Sequence, residues 1–478
     1  MAEEGAKDTE QAQVKATAGK SRRSDAAAER ADGKPSVLLP PAASIFQCVA
    51  PAAGDKESSG AGHSARVGNL LGLETPMFLT LTSRGMPLHL RPQVSGPQLP
   101  EGRQQQLYEL PVGDVIMRQD SVAGCPKASL GCRGFWPHLE GHLTYCSFRN
   151  PTQNPSVFGG DAVCSVETSG GRRKVGPREL LDLQRVMRMD IVAAPAEEVS
   201  LDVVAQRRLN RAISRAADWL KEMLEGKATE PELGFDWHVL AGIQGGGDVK
   251  LRQKACAAAS AMPVAGFWIG GLGYDEGLLS RARILEAVTS ALPPAQPRFL
   301  PLCEGTPLEV LQAVLLGVDV LEITYPQQAA FKGIALLFSW EMPPDAPEAT
   351  DDALASLLPP VDGQEASKAM PLAKPLVGRQ LYLRSPECRE DFGPISADSP
   401  VSQYSRAYLY HLLEVRELLG TMLLAQHNLY VYSSFFAAMR DHIRRGTLRR
   451  FVAWFVETQT CELTVAPTSG PPGKRRKI

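Results

Sequence analysis

The sequence predicts an α/β fold built as a (β/α)8 TIM barrel, with a C-terminal helical subdomain and a disordered N-terminal arm. Three observations predict it. Short apolar runs alternate with single segments of helical spacing from about residue 189 to 322. Several of those runs end in polar or glycine-rich residues, as the C-terminal face of a barrel requires. No GxGxxG follows a first strand, so nothing favours the rival, an open doubly wound sheet. Strands joined by one helix each pair in parallel, and this many of them suggest closure into a barrel.

The elements follow in order. MDIVAAP (189–195) reads as an apolar strand, and 201–226 carries helical spacing through Leu201, Val204, Leu209, Ile213, Leu220 and Leu224. WHVLAGIQGG (237–246) is the next strand, with a helix from about 249. VAGFWIGGL (264–272) precedes a helix over 278–291, RFLPLCEG (298–305) precedes one over 307–316, and VDVLEITYP follows. The ends of these strands place Ala196 with Glu197, Gln244-Gly245-Gly246, Gly270-Gly271, Glu304 and Glu322 around one expected cavity.

A chain of 478 residues with 44% hydrophobic residues can bury a large core. Its net charge of −2 gives no global pull toward nucleic acid or membrane, so such a partner must be met by a local patch. Nine cysteines without a CxxC, and an N-terminus without the apolar core of a secretory signal, predict reduced thiols in a cytosolic or nuclear protein. No apolar run approaches the roughly 20 residues that span a bilayer, so no integral membrane segment is expected.

Composition also sets expected boundaries. Residues 1–64 are rich in Ala, Gly, Ser, Lys and Glu and are read as a disordered arm, apart from SVLLPPAASIFQCVAP (36–51), a candidate to dock onto the body. The barrel is placed at 65–340, an acidic Pro-rich insertion at 341–375, and the helical subdomain completing the barrel at 376–460. A basic tail occupies 461–478, where Lys474-Arg475-Arg476-Lys477 suits nuclear import or non-specific RNA contact.

Residues 317–333, GVDVLEITYPQQAAFKG, put a carboxylate, Glu322, at the end of an apolar strand and before a proline turn. This run resembles the nucleophile segment of tRNA-guanine transglycosylases, GIDMFDCVxPTRxxRxG. An aspartate stands there at the position of Glu322, and arginines at those of Gln328 and Phe331. GIQGGGDVKLRQKA (242–255) resembles the family's GIVQGG segment, and WIGGL (268–272) its IGGL turn. ALPPAQPRFLPLCEGTPLEVLQAVLLGVDVLE (291–322) and YSRAYLYHLLEVRELLGTMLLAQHNLYVY (404–432) extend the likeness. Within the family the chain is most similar to the eukaryotic non-catalytic branch, the accessory subunits of heterodimeric queuine tRNA-ribosyltransferases. That branch also carries glutamate at the nucleophile position, and TPMFLTLTSRGMPLHL (75–90) and CREDFGP (388–394) resemble its runs.

The resemblance implies a base exchange in which a carboxylate attacks the ribose anomeric carbon and guanine leaves. Glu322 has the functional group but one extra methylene, and a misplacement of about 1 Å costs about 10²-fold. Its structural alternative is a carboxyl hydrogen-bonded in the barrel mouth. The family's acid-bearing DSGG run has its only near match at Thr168-Ser169-Gly170-Gly171, which lacks the acid and stands out of order. The base-reading aspartate falls on Ala196, leaving Gln244, Gly245, Gly246, Gly270 and Gly271 as a base-pocket remnant; Gln244 is read equally as a hydrogen-bonded turn residue.

The family's zinc ligands, CxCxxC and a helical histidine, fall on Ser396, Asp398, Val401 and His427, so no structural zinc is expected and His427 is read as vestigial. Arg440, Arg444, Arg445, Arg449 and Arg450 form the densest basic cluster, read as tRNA-binding candidates or as a solvated helix end. An apolar stripe through Tyr408, Leu412, Leu419, Leu423 and Tyr430 suits core packing or a dimer contact.

These residues imply a non-catalytic accessory subunit. It would pair as a heterodimer with a catalytic transglycosylase chain that exchanges guanine for queuine at the tRNA wobble position. The alternatives are an active base-exchange enzyme using Glu322 as nucleophile, and a stand-alone tRNA-binding module.

Overall fold

A computed structural model describes residues 43–51, 65–90, 105–150, 158–159, 164–229, 235–274, 276–302, 304–348, 354–355, 357–358 and 376–462. Most of the expected arm, most of the 341–375 insertion and nearly all of the basic tail lie outside the described residues. Of the arm, Phe46–Pro51 is a strand paired antiparallel with Arg66–Leu70, with Ile45 and Phe46 buried. The end of the 36–51 run therefore docks onto the body.

The centre is an α/β fold around one ten-stranded sheet. Its strands are β1 (Met77–Phe78), β2 (Thr80–Ser83), β3 (Met86–Pro87), β4 (Leu107–Pro111), β5 (Leu143–Ser147), β6 (Ile191–Ala193), β7 (His238–Ile243), β8 (Gly266–Ile269), β9 (Arg298–Pro301) and β10 (Val320–Glu322). The order across the sheet is β1-β10-β9-β8-β7-β6-β5-β4-β2-β3, curled and parallel throughout except for the β2–β3 hairpin.

The intervening helices are α1 (Pro177–Met187), α2 (Gln206–Thr229), α3 (Val249–Ser260), α4 (Leu278–Ala291) and α5 (Pro307–Leu315). After β10 come α6 (Tyr325–Phe331) and the C-terminal helices α7 (Arg406–Glu414), α8 (Leu418–Arg445) and α9 (Leu448–Gln459). Local chemistry starts and stops them. Asp248 accepts from Leu251 N (3.0 Å) to cap α3, and Pro307 opens α5 while the Glu309 carboxylate accepts from Thr306 N (2.8 Å). Gly446, at φ +70°, closes α8 in the left-handed conformation that glycine takes without strain.

Strand alternation divides the core. One set of side chains (Leu79, Leu81, Leu107, Tyr145, Ile191, Leu240, Trp268, Phe299 and Val320) packs in the concavity of the sheet. The alternate set, including Tyr108, Val192, Val239, Phe267, Leu300 and Leu321, packs beneath the helices.

Candidate functional site

Two-residue periodicity builds the site. Glu109, Ser147 and Glu322 stand two positions beyond Leu107, Tyr145 and Val320, on the same face and one layer nearer the C-terminal strand ends. All three are buried, Glu322 at 3% exposure and Glu109 at 0%. Ser147 Oγ donates to Glu109 Oε1 (2.5 Å). Glu109 Oε2 and Glu322 Oε1 receive no bond from other described groups, and the two carboxyls hydrogen-bond to each other.

That pairing sets the charge. Burial pushes Glu322 well above the ordinary carboxylate range, and the adjacent Glu109 carboxyl raises it further. Burial likewise raises Glu109 to about 8, although Ser147 and Glu322 donate to it. Glu322 therefore holds its proton at neutral pH. A carboxyl nucleophile must be anionic and open to its substrate, and Glu322 is neither.

Beside this pair lies a buried ion pair. Arg149, two residues past β5, pairs through its guanidinium with Glu198, and both side chains are almost wholly buried (2% and 1%). Arg149 Nη1 also donates to Pro301 O (3.0 Å), and its guanidinium lies 4.6 Å from the ring centroid of Tyr274. Glu198 accepts from Gly271 N (2.8 Å), so an amide of the glycine turn after β8 serves an internal carboxylate.

The base-pocket remnant is filled. The Trp268 indole donates to Ala194 O (3.2 Å) and lies across the inner face. A Cβ on Gly242 would meet that ring at 2.8 Å and the Ala196 methyl at 3.0 Å. A Cβ on Gly270 would meet it at 2.7 Å and the Gln244 amide at 2.1 Å. Glycine is required at both positions because an indole occupies the space between the two strand ends. Gln244 is fully buried there, and neither amide atom has a partner among the described residues. Gly245, Gly246 and Gly271 all have positive φ, and Arg252 joins their two turns, donating to Ile243 O (2.9 Å), Gly246 O (2.9 Å) and Gly270 O (2.7 Å).

A family model for queuine tRNA-ribosyltransferase matches residues 62–460. The chain belongs to that family. Its likeness within the family is to accessory subunits. Queuine tRNA-ribosyltransferase accessory subunit 2 of Xenopus laevis is 28% identical over 334 residues, 66% of this chain and 78% of the relative. The Gallus gallus protein of the same name is 30% identical, over 64% of this chain and 74% of its own length. A queuine tRNA-ribosyltransferase from Sphingopyxis alaskensis is 29% identical over 59% of this chain and 65% of the relative.

Other family positions can then be placed. The turn Thr168-Ser169-Gly170-Gly171 joins the antiparallel hairpin Cys164–Thr168/Gly171–Val175, outside the ten-stranded sheet. At the family's zinc position, His427 Nε2 donates to Leu336 O (2.9 Å), a carbonyl that can only accept. Nδ1, 2.9 Å from Ser399 Oγ, is then the acceptor of the serine hydroxyl. Burial lowers the His427 pKa to about 4, so the ring is neutral with both nitrogens committed. No group of three or more His, Cys, Asp or Glu among the described residues could hold a metal ion, and these residues do not fit the family's zinc.

The five arginines have separate roles. Arg440 donates to Pro76 O (2.9 Å) and, with Arg444, reaches Glu74 at 3.5 and 2.5 Å, fastening α8 to the entry of β1. Arg450 grips the backbone of 344–347, donating to Pro344 O at 3.1 Å and to Ala346 O. Arg445 pairs with Asp441 (2.7 Å) on the same helix, and Arg449 is exposed.

Residues that carry the site but escaped sequence reading are Glu109, Arg149, Glu198, Trp268 and Ser399. The one available signal was an acid, Glu109, inside the apolar strand LYELP.

Proposed function

We propose that this chain is the non-catalytic accessory subunit of a heterodimeric queuine tRNA-ribosyltransferase, assisting a catalytic partner that exchanges guanine for queuine in tRNA. The observation that carries this reading is the placement of Glu322: buried against the Glu109 carboxyl, beside a base pocket filled by Trp268. Chemistry then belongs to a partner with an intact aspartate pair.

The finer architecture is part of the same reading. We take the sheet to close as an eight-stranded barrel, because β1 and β2 are separated by Leu79 alone. Leu79 N donates to Leu321 O (2.9 Å) on one side, while Thr80 and Leu81 are in register with Tyr108 and Glu109 on the other. The domain boundaries, and cytoplasmic or nuclear residence, stand as proposed from composition.

The partner surface is placed on the C-terminal helices. Of the expected stripe, Leu412 and Leu423 are buried, while Tyr408 and Leu419 face outward. Phe392 (80% exposed), Val415 and Leu418 (62%) extend the outward set, and large apolar groups of that exposure suit an interface.

Affinity purification of the tagged chain from its native cells, with mass identification of stoichiometric partners, tests the reading. The expected result is a second transglycosylase chain bearing the nucleophilic aspartate. Recovery of this chain alone, with base exchange in the same fraction, would overturn it.

A further inference from the structure

Among the described residues, a cationic surface lies at the start of α2 and α3. Residues 203–217 contain four arginines (Arg207, Arg208, Arg211 and Arg215) and no acid, and residues 249–274 contain Lys250, Arg252 and Lys254 and no acid. Arg215 and Arg252 are used internally, by Glu197 (2.6 Å) and by the carbonyls of the glycine turns. Arg207, Arg208, Arg211, Lys250 and Lys254 are exposed. Arg208 comes within 3.6 Å of Glu197, and the other four have no carboxylate partner among the described residues.

The five form one patch. Positions 207, 208 and 211 share one face of α2, and 250 and 254 one face of α3. The two helix starts are tied together by Gln206 Nε2 donating to Asp248 Oδ2 (2.9 Å) and by packing of Leu209 with Leu251. α2 and α3 are the elements that follow β6 and β7 in the chain, so the patch stands at the C-terminal end of those strands, on the rim of the site.

This placement opposes local stability. The amino end of a helix carries partial positive charge and favours acidic side chains, yet the first turns of both helices are acid-free and cationic. Of the acids beside the patch, Glu197 is engaged by Arg215 (2.6 Å) and Asp248 is occupied as the cap of α3. Only Val204 is a large exposed apolar side chain nearby, which does not suit insertion into a membrane.

We infer that Arg207, Arg208, Arg211, Lys250 and Lys254 bind the phosphodiester backbone of RNA along the rim of the degenerate active site. Several cations spread over two helices match a chain of phosphates better than a single anion. The α8–α9 arginines, mostly spent on internal contacts, are not the main RNA surface. The identity of the RNA as tRNA rests on the accessory-subunit reading.

The test is fluorescence anisotropy of the full chain with an unmodified tRNA transcript across a salt series. It compares wild type, R207Q/R208Q/R211Q/K250Q/K254Q, and R445Q/R449Q. The five-site variant is expected to bind more than about tenfold more weakly, with the log–log salt slope reduced by about 3.5–4.5, while R445Q/R449Q changes affinity less than about twofold. Its melting temperature should not fall, because the removed charges opposed the helix dipoles. Unchanged affinity and slope in the five-site variant would overturn the inference. So would intact tRNA binding with loss of binding only to phosphatidylserine vesicles. Wild type that pairs with a catalytic chain but does not bind tRNA would overturn the patch and leave the accessory role. Patch-dependent tRNA binding without any such partner would do the reverse.

Discussion

Replacing Arg149 with methionine is expected to destabilise the chain by about 3–5 kcal/mol, the cost of leaving a buried charge uncompensated. Glu198 would keep Gly271 N as a donor but lose the guanidinium paired with its carboxylate, at 1% side-chain exposure. The loss should appear as a lower denaturation midpoint with an unchanged denaturant slope. Arg149→Met with Glu198→Gln should recover most of it, because removing both partners of a buried pair is far cheaper than removing one. A single variant within about 1 kcal/mol of wild type would mean that the pair is solvated.

The second large effect is a pH dependence centred on Glu109 and Glu322. Both carboxyls are raised in the folded chain, so the native state holds protons that the unfolded chain releases near pH 4.5. Their contribution is fully present below that value. It declines as pH rises toward about 8, where Glu109 titrates, and the raised Glu322 carboxyl acts in the same direction. Each extra proton held by the native state gives a slope of about −1.4 kcal/mol per pH unit. Wild type should therefore melt at progressively lower temperature between about pH 6 and pH 9. Glu322→Gln keeps the shape, donates an amide hydrogen to Glu109 and removes one of the two buried acids, so its melting temperature should change far less with pH. Parallel profiles for the two proteins would sink the pairing of Glu109 with Glu322.

The alternation of strands and helices was legible because each element carries its own period. The helix expected over 278–291 is Leu278–Ala291, and the run 237–246 contains β7, His238–Ile243. The single acid at the end of β10 was legible as well, since Glu322 ends an apolar run. Its charge was not. That depends on Glu109, on a strand far away in sequence, whose carboxyl meets that of Glu322. The Arg149–Glu198 pair was hidden for the same reason, and Trp268 read as an ordinary apolar residue of WIGGL although its indole fills the pocket. The partners of the arginines at 440–450 were not legible, because helical spacing says nothing of Glu74 and the 344–347 carbonyls, which come from distant segments. Ser399, the partner of His427, was missed because matching a cysteine pattern leads only to the positions that the pattern names.

The central claim is that Glu322 performs no chemistry in the assembled complex. Guanine exchange on tRNA by the catalytic partner, reconstituted with wild-type chain and with Glu322→Gln, tests it most directly. The account predicts a kcat/KM within about twofold of wild type. A fall of about 10²-fold or more, with assembly and tRNA affinity unchanged, would make Glu322 a nucleophile and contradict it.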